Sequence, residues 1–210
     1  MGRTRKVRAP VQKRGIETRE KLLEAARILF IEKGYYKTHG PEIAAKAGLA
    51  TGTFYSYFTD KKDILIELFR MFYKHAIEQA LSILNNSVLL EGDARTIIRE
   101  MLRTLYTIHD EQRDIHKALH PLVFMDEEIM ELTRREDEKV IELIAFYYTS
   151  NHTFLHVNNA RAAAELTFRT CDEIIHRILF WGAHTDKERL IEELETMLFK
   201  YLFTESPDIP

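Results

Sequence analysis

Nine histidines and a single cysteine hold most of the chain's capacity for catalysis or metal ligation. In HDEQRDIHKALH, residues 109–120, His116 and His120 stand four apart on one helical face, with His109, Asp110 and Asp114 close in sequence. His152 and His156 repeat the spacing. Such pairs set two imidazoles side by side, as a transition metal requires. Nine histidines in 210 residues produce them by chance, so no metal and no cofactor is expected. Cys171, Asp172 and His176 have the types of a nucleophile, an acid and a base, but on one helix they are read as pointing in different directions. No glycine-rich phosphate loop, nucleophile elbow or HExxH accompanies them, so the chain is not read as an enzyme.

A different chemistry is offered by ATGTFYSYF, residues 50–58, where aromatic rings and hydroxyls surround Gly52 with no charged side chain. Hydroxyl tips read base edges and phosphates, and rings fill a core or stack. Charge favours the nucleic-acid reading. Residues 1–62 carry 14 Lys and Arg against 6 Asp and Glu, whereas residues 63–210 carry 16 against 27. A basic head on an acidic body suits an anionic partner for the head alone, with DNA the commonest. A scaffold whose head rests on a membrane is the rival, and it predicts lipid binding indifferent to Thr53 and Tyr57.

The elements that would position these residues are helical. Eight glycines and five prolines are few, and Leu, Ile, Glu, Ala, Lys and Arg fill the intervals. One cysteine allows no internal disulfide, and no apolar run reaches a membrane span, so a cytoplasmic location is expected. Residues 1–15 read as a flexible basic arm, with Arg3, Arg5, Lys6, Arg8, Lys13 and Arg14 available to phosphates. From Glu17, Leu22, Leu23, Ala26, Leu29 and Phe30 recur on one helix face up to Gly34. Two short helices meeting at Gly48 follow, and Thr59 or Asp60 opens a third element over 60–84 with Asp63 in its first turn. Further helices are expected over 94–110, 113–125, 126–149, 159–182 and 186–203, the last capped by Thr185 with Glu188.

Residues 22–65, LLEAARILFIEKGYYKTHGPEIAAKAGLATGTFYSYFTDKKDIL, resemble the DNA-binding domain of TetR-family transcriptional regulators. The match runs through an Ala-Ala first helix, Phe30 and Gly34, an Ile-Ala, an Ala-Gly-aliphatic turn, a Gly-Thr-aromatic-Tyr recognition helix, Phe58 and Lys61. It departs at His39-Gly40, where the family commonly has Ser or Thr then Val, at Ala50, commonly Ser, and at Tyr57, often His. Thr51 is accordingly expected to cap the recognition helix. The helical patterns predict an all-α protein of about nine helices, and the resemblance implies its division into two parts. A three-helix helix-turn-helix DNA-binding head spans 16–62, and a helical bundle for effector binding and dimerisation spans 63–210.

By the same resemblance, Thr38, Tyr57 and Lys61 hold backbone phosphates, Thr51, Gly52 and Thr53 lie against the groove, and Tyr55 is partly packed and partly on DNA. Ser56 joins these from its place among the hydroxyl tips. A homodimer on a palindromic double-stranded operator is implied, with Ile174, Ile178, Trp181, Leu194, Leu198 and Tyr201 on its interface. An unidentified small-molecule effector is implied in a pocket for which Tyr106, Phe124, Met125, Phe146, Tyr147, Phe168 and Cys171 are candidates. The expected mode is repression, relieved when the effector shifts the helix over 60–84. No membrane partner is expected.

Overall fold

The computed structural model describes residues 13–84, 94–150 and 157–203. Arg3, Arg5, Lys6 and Arg8 of the basic arm, and His152 and His156, lie outside the described residues. Within them are nine α-helices and no strand. They are α1 (Lys13–Lys33), α2 (Gly40–Lys46), α3 (Thr51–Tyr57), α4 (Lys61–Leu84), α5 (Ala94–Glu111), α6 (Arg113–Leu119), α7 (Glu127–Ser150), α8 (Ala160–His176) and α9 (Lys187–Leu202). No described helix is long and apolar enough to cross a membrane. The described residues form two compact units, one within 1–72 and 114–133 and one within 73–113 and 134–210.

The first unit closes over a core that begins with Leu22, Leu23, Ala25, Ala26, Leu29 and Phe30 on the inner face of α1. Ile43 and Ala44 of α2, Phe54 of α3, Phe58, and Ile64 and Leu65 of α4 complete its centre. Small alanines bring the helices close enough for the rings to fill the gap between them. α1 begins at Lys13 rather than near Glu17, so Lys13 and Arg14 are helical. Gly15 is tolerated there because a first-turn residue gives up few hydrogen bonds, and the Thr18 hydroxyl donates to the Arg14 carbonyl at 2.8 Å. Gly34, at φ +84°, closes the helix in the left-handed region while its N–H donates to the Phe30 carbonyl.

His39 stands in extended backbone as the N-cap of α2, and the Glu42 carboxylate reaches back to accept its N–H at 3.0 Å. Gly40 follows for a steric reason, since a Cβ there would lie 2.8 Å from Cε1 of Phe54. Gly40→Ala is therefore expected to cost about 1–3 kcal/mol by overpacking, read as a lower urea midpoint. At the start of α4, Asp60 accepts the N–H groups of Lys62 at 2.7 Å and Asp63 at 3.1 Å. Asp63 in turn accepts the Thr59 N–H at 2.7 Å, which makes Asp60 the cap.

Three further helix boundaries differ from the sequence reading. The helix expected over 113–125 stops at Leu119 and continues as a 3₁₀ turn, His120–Phe124, because Pro121 has no N–H to offer an α-helical turn. The helix expected over 159–182 changes at Arg177 to a π-helical turn, Arg177–Trp181, which ends at Gly182 with φ +82°. α9 is capped by Asp186, which accepts from the N–H groups of Glu188 and Arg189, and not by Thr185.

The second unit has two apolar clusters. Ile141, Ala145, Tyr148, Ala163, Ala164 and Leu202 form one, and Ile98, Leu102, Cys171, Leu194 and Leu198 the other. Buried carboxylates tie its helices together. Glu195 takes two hydrogen bonds of 2.9 Å from Arg99, and Asp137 accepts from Tyr73 at 2.8 Å and Arg169 at 2.6 Å. Burial holds the Asp137 carboxyl above the ordinary carboxylate range although both donors oppose it.

Candidate nucleic-acid interface

α3 is two turns long and cannot hold itself together as an isolated helix. Its position is set by Phe54, fully buried, with Phe58 just beyond its end at 3% exposure. The rings lie 6.1 Å apart, and Tyr55 meets Phe54 edge-on at 5.0 Å. Anchoring this inward side leaves Thr51, Gly52, Tyr55 and Ser56 exposed, with Thr53 and Tyr57 half-buried. The N-cap is Ala50, which offers no side-chain acceptor, and Thr51 is the first helical residue. Thr51 therefore does not cap the helix, and its hydroxyl stays outside the capping geometry. Ser56 donates to the Gly52 carbonyl at 2.9 Å, which leaves its oxygen as an acceptor.

Thr38 is fully buried in the α1–α2 connection, where its hydroxyl bonds the Gly34 carbonyl at 2.9 Å. Lys61, from the first turn of α4, extends beneath the same connection. Its ammonium donates to the carbonyls of Tyr35 at 2.8 Å, Tyr36 at 3.1 Å and Thr38 at 2.9 Å. It also lies 4.4 Å from the centre of the Tyr35 ring. An ammonium has three protons, and three carbonyls occupy them. Desolvation against these groups lowers the Lys61 pKa, with the Asp60 charge opposing. No sequence pattern announces this cradle, because its partners lie more than twenty positions upstream. Nearby, Lys62 pairs with Asp126 at 2.9 Å and Glu128 at 2.8 Å, so its charge is directed at acidic groups of its own unit.

The residues suggested for an effector pocket divide between the two units. Phe124 and Met125 are in the first and are 78% and 67% exposed. Tyr106, Phe146, Tyr147, Phe168 and Cys171 are in the second. Phe146 is exposed, Tyr147 and Phe168 lean on the Ile141–Ala145–Tyr148 cluster, and Cys171 is buried with its thiol pushed up to about 12, so it is no thiolate nucleophile at neutral pH. Among the residues suggested for a dimer interface, Leu194 and Leu198 are spent in the unit's own core. Ile174 and Ile178 are half-buried, and Trp181 and Tyr201 are exposed. Leu166 and Met197 are exposed as well.

A short hydroxyl-bearing helix, set on a buried ring after a glycine-broken partner helix, defines a helix-turn-helix DNA-binding head joined to a helical body. Residues 22–68 match the family of bacterial regulatory proteins, tetR family, and residues 94–202 match a tetracyclin repressor-like C-terminal domain. The chain belongs to the TetR family of DNA-binding transcriptional regulators, proteins that bind operators rather than catalyse reactions. The Bacillus subtilis HTH-type regulator YdgC is 30% identical over 107 residues, covering 51% of this chain and 55% of that protein. The regulator AcrR of Shigella flexneri is 33% identical over 86 residues, covering 41% and 39%. The chain thus spans about half the length, or less, of these curated relatives. A crystal structure of a TetR-family regulator from Syntrophomonas wolfei superposes with a TM-score of 0.70 at 25% identity, covering 87% of this chain and 93% of that one. A Saccharomonospora viridis regulator solved with choline shares the fold, with a TM-score of 0.68 at 18% identity over 90% of this chain and 100% of that one.

Proposed function

We propose that this chain is a repressor that binds a palindromic operator as a homodimer and leaves it when a small molecule binds the body, residues 63–210. The head, residues 16–62, reads DNA through Thr51, Gly52, Thr53, Tyr55, Ser56 and Tyr57. Thr38 and Lys61 support that face from behind. The observation that carries the reading is the division of α3 into a buried ring side and an exposed hydroxyl side bare at Gly52. Bare backbone and short hydroxyls permit close approach to base edges, and charge elsewhere supplies the salt-sensitive affinity.

A single head of this size buries little surface on DNA, so two, roughly 34 Å apart on successive turns, share the binding. The exposed apolar side chains Leu166, Trp181, Met197 and Tyr201, with Ile174 and Ile178, support pairing along α8, the π-helical turn and α9. Leu194 and Leu198 brace that surface from the core. For the effector, Tyr106, Tyr147, Phe168 and Cys171 of the second unit are the candidate walls, and α4 is the candidate transmitter.

Gel shift on the DNA upstream of the chain's own gene tests the reading. Wild-type protein is expected to bind with an affinity that falls steeply between low and moderate salt. Thr53→Ala is expected to weaken specific binding by about 1–3 kcal/mol while leaving non-specific binding unchanged. Equal binding by both proteins to operator and random DNA would sink the proposal.

A further inference from the structure

Within the second unit, α5 packs against α8. His109 occupies the last turn of α5. Asp172 and His176, four residues apart on α8, share a face, contrary to the sequence reading that pointed them in different directions. The three side chains meet there. The His109 and His176 side chains are 4% and 6% exposed and Asp172 is 27% exposed, so the carboxylate marks the route to solvent.

Proton placement on His109 follows from its neighbour. Its Nδ1 lies 2.9 Å from the Leu105 carbonyl, which can only accept, so Nδ1 carries the hydrogen. Its Nε2 faces Asp172 Oδ1 from 3.5 Å. On the other side, His176 Nδ1 lies 3.4 Å from Asp172 Oδ2, and the two imidazole rings meet edge-on at 5.0 Å. A ring nitrogen of His109 and one of His176 come within 4.8 Å of each other.

The two nitrogen–oxygen separations match those of ligands around one cation. Two ligands each about 2.1 Å from a tetrahedral ion are roughly 3.4 Å apart. The Leu105 carbonyl on the far nitrogen of His109 is the outer partner that orients a ligating imidazole. We propose that His109, Asp172 and His176 form a binding site for a divalent transition-metal ion. Two imidazoles and a carboxylate select a borderline cation, with Zn²⁺ the best fit and water completing the tetrahedron. The sequence reading set His109, Asp110 and Asp114 beside the His116–His120 pair and expected no metal. His109 and His176 are brought together by the packing of two helices far apart in the chain.

The test uses the full chain without a histidine tag, freed of metal with a chelator and titrated with Zn²⁺ against a chromophoric competitor. One ion per chain is expected, and Co²⁺ in its place should give the intense visible bands of a four-coordinate ion. Asp172→Asn is nearly isosteric at a partly exposed position, so it keeps the fold while removing a charged ligand. It and His109→Gln are each expected to weaken Zn²⁺ binding at least about ten-fold, the lower end of what even outer-shell partners cost. Zn²⁺ should raise the melting temperature of the wild type and not that of Asp172→Asn. Absence of stoichiometric uptake by the wild type, or equal uptake and equal melting shifts in the variants, would overturn the proposal. None of these readouts involves DNA, so their outcome is independent of the operator-binding reading.

Discussion

Phe54→Ala is expected to destabilise the head by about 3–5 kcal/mol and to remove operator binding at concentrations that saturate the wild type. The ring is fully buried, and it is the one core residue that α3 contributes from within its own span. Truncation leaves a cavity bordered by Phe58, Ile43 and the bare Cα of Gly40. A two-turn helix with an alanine cap has little intrinsic stability to offset that loss. Urea denaturation followed by circular dichroism measures the first effect, and gel shift the second. Tyr55→Phe serves as the control for the stability measurement, because its ring is 41% exposed and its hydroxyl can go without a large change in stability, about 0.5 kcal/mol at most. A Phe54→Ala head as stable as the wild type would mean that α3 is anchored by something other than this ring.

Lys61→Met is expected to lower stability by about 1.5–3 kcal/mol, the range for hydrogen bonds to a charged group, and to weaken DNA binding with it. Methionine keeps the length and apolar stem of lysine but returns nothing to the carbonyls of Tyr35, Tyr36 and Thr38. The connection between α1 and α2 then loses the donor that holds it. With its protons all given to carbonyls, Lys61 is expected to act on DNA by fixing the loop rather than by gripping a phosphate. The slope of log affinity against log salt is therefore expected to stay unchanged in Lys61→Met. A slope shallower by about 1 would instead assign Lys61 a phosphate of its own.

Much of the head was legible because its determinants are local. Leu22, Ala26, Leu29 and Phe30 recur at helical spacing, Gly48 breaks the chain between two short helices, and Asp60 with Asp63 announces the start of α4. The departures at His39-Gly40 and Ala50 were visible as departures, but their consequences were not. Gly40 answers to Phe54, fourteen positions on, and only the packed ring shows that a Cβ is excluded there. Helix ends were less secure. Thr185 and Asp186 are adjacent acceptors, and backbone geometry, not residue type, chose the second. The chain was read as helical through 113–125 although Pro121 lay in view.

By itself the sequence determined the helical class, the basic head on an acidic body, the helix-turn-helix and the residues that give α3 its two sides. Those properties follow from periodicity, charge and turn chemistry, all of which act over a few residues. The tertiary structure alone decided which suggested interface residues are exposed, burying Leu194 and Leu198 and leaving Trp181 and Tyr201 at the surface. It alone gave the Lys61 ammonium its three carbonyls and brought His109 to Asp172 and His176. The physical reason is common to all of these. Each depends on the distance between atoms on separate helices, and that distance is set by how whole apolar faces pack rather than by any run of neighbouring residues.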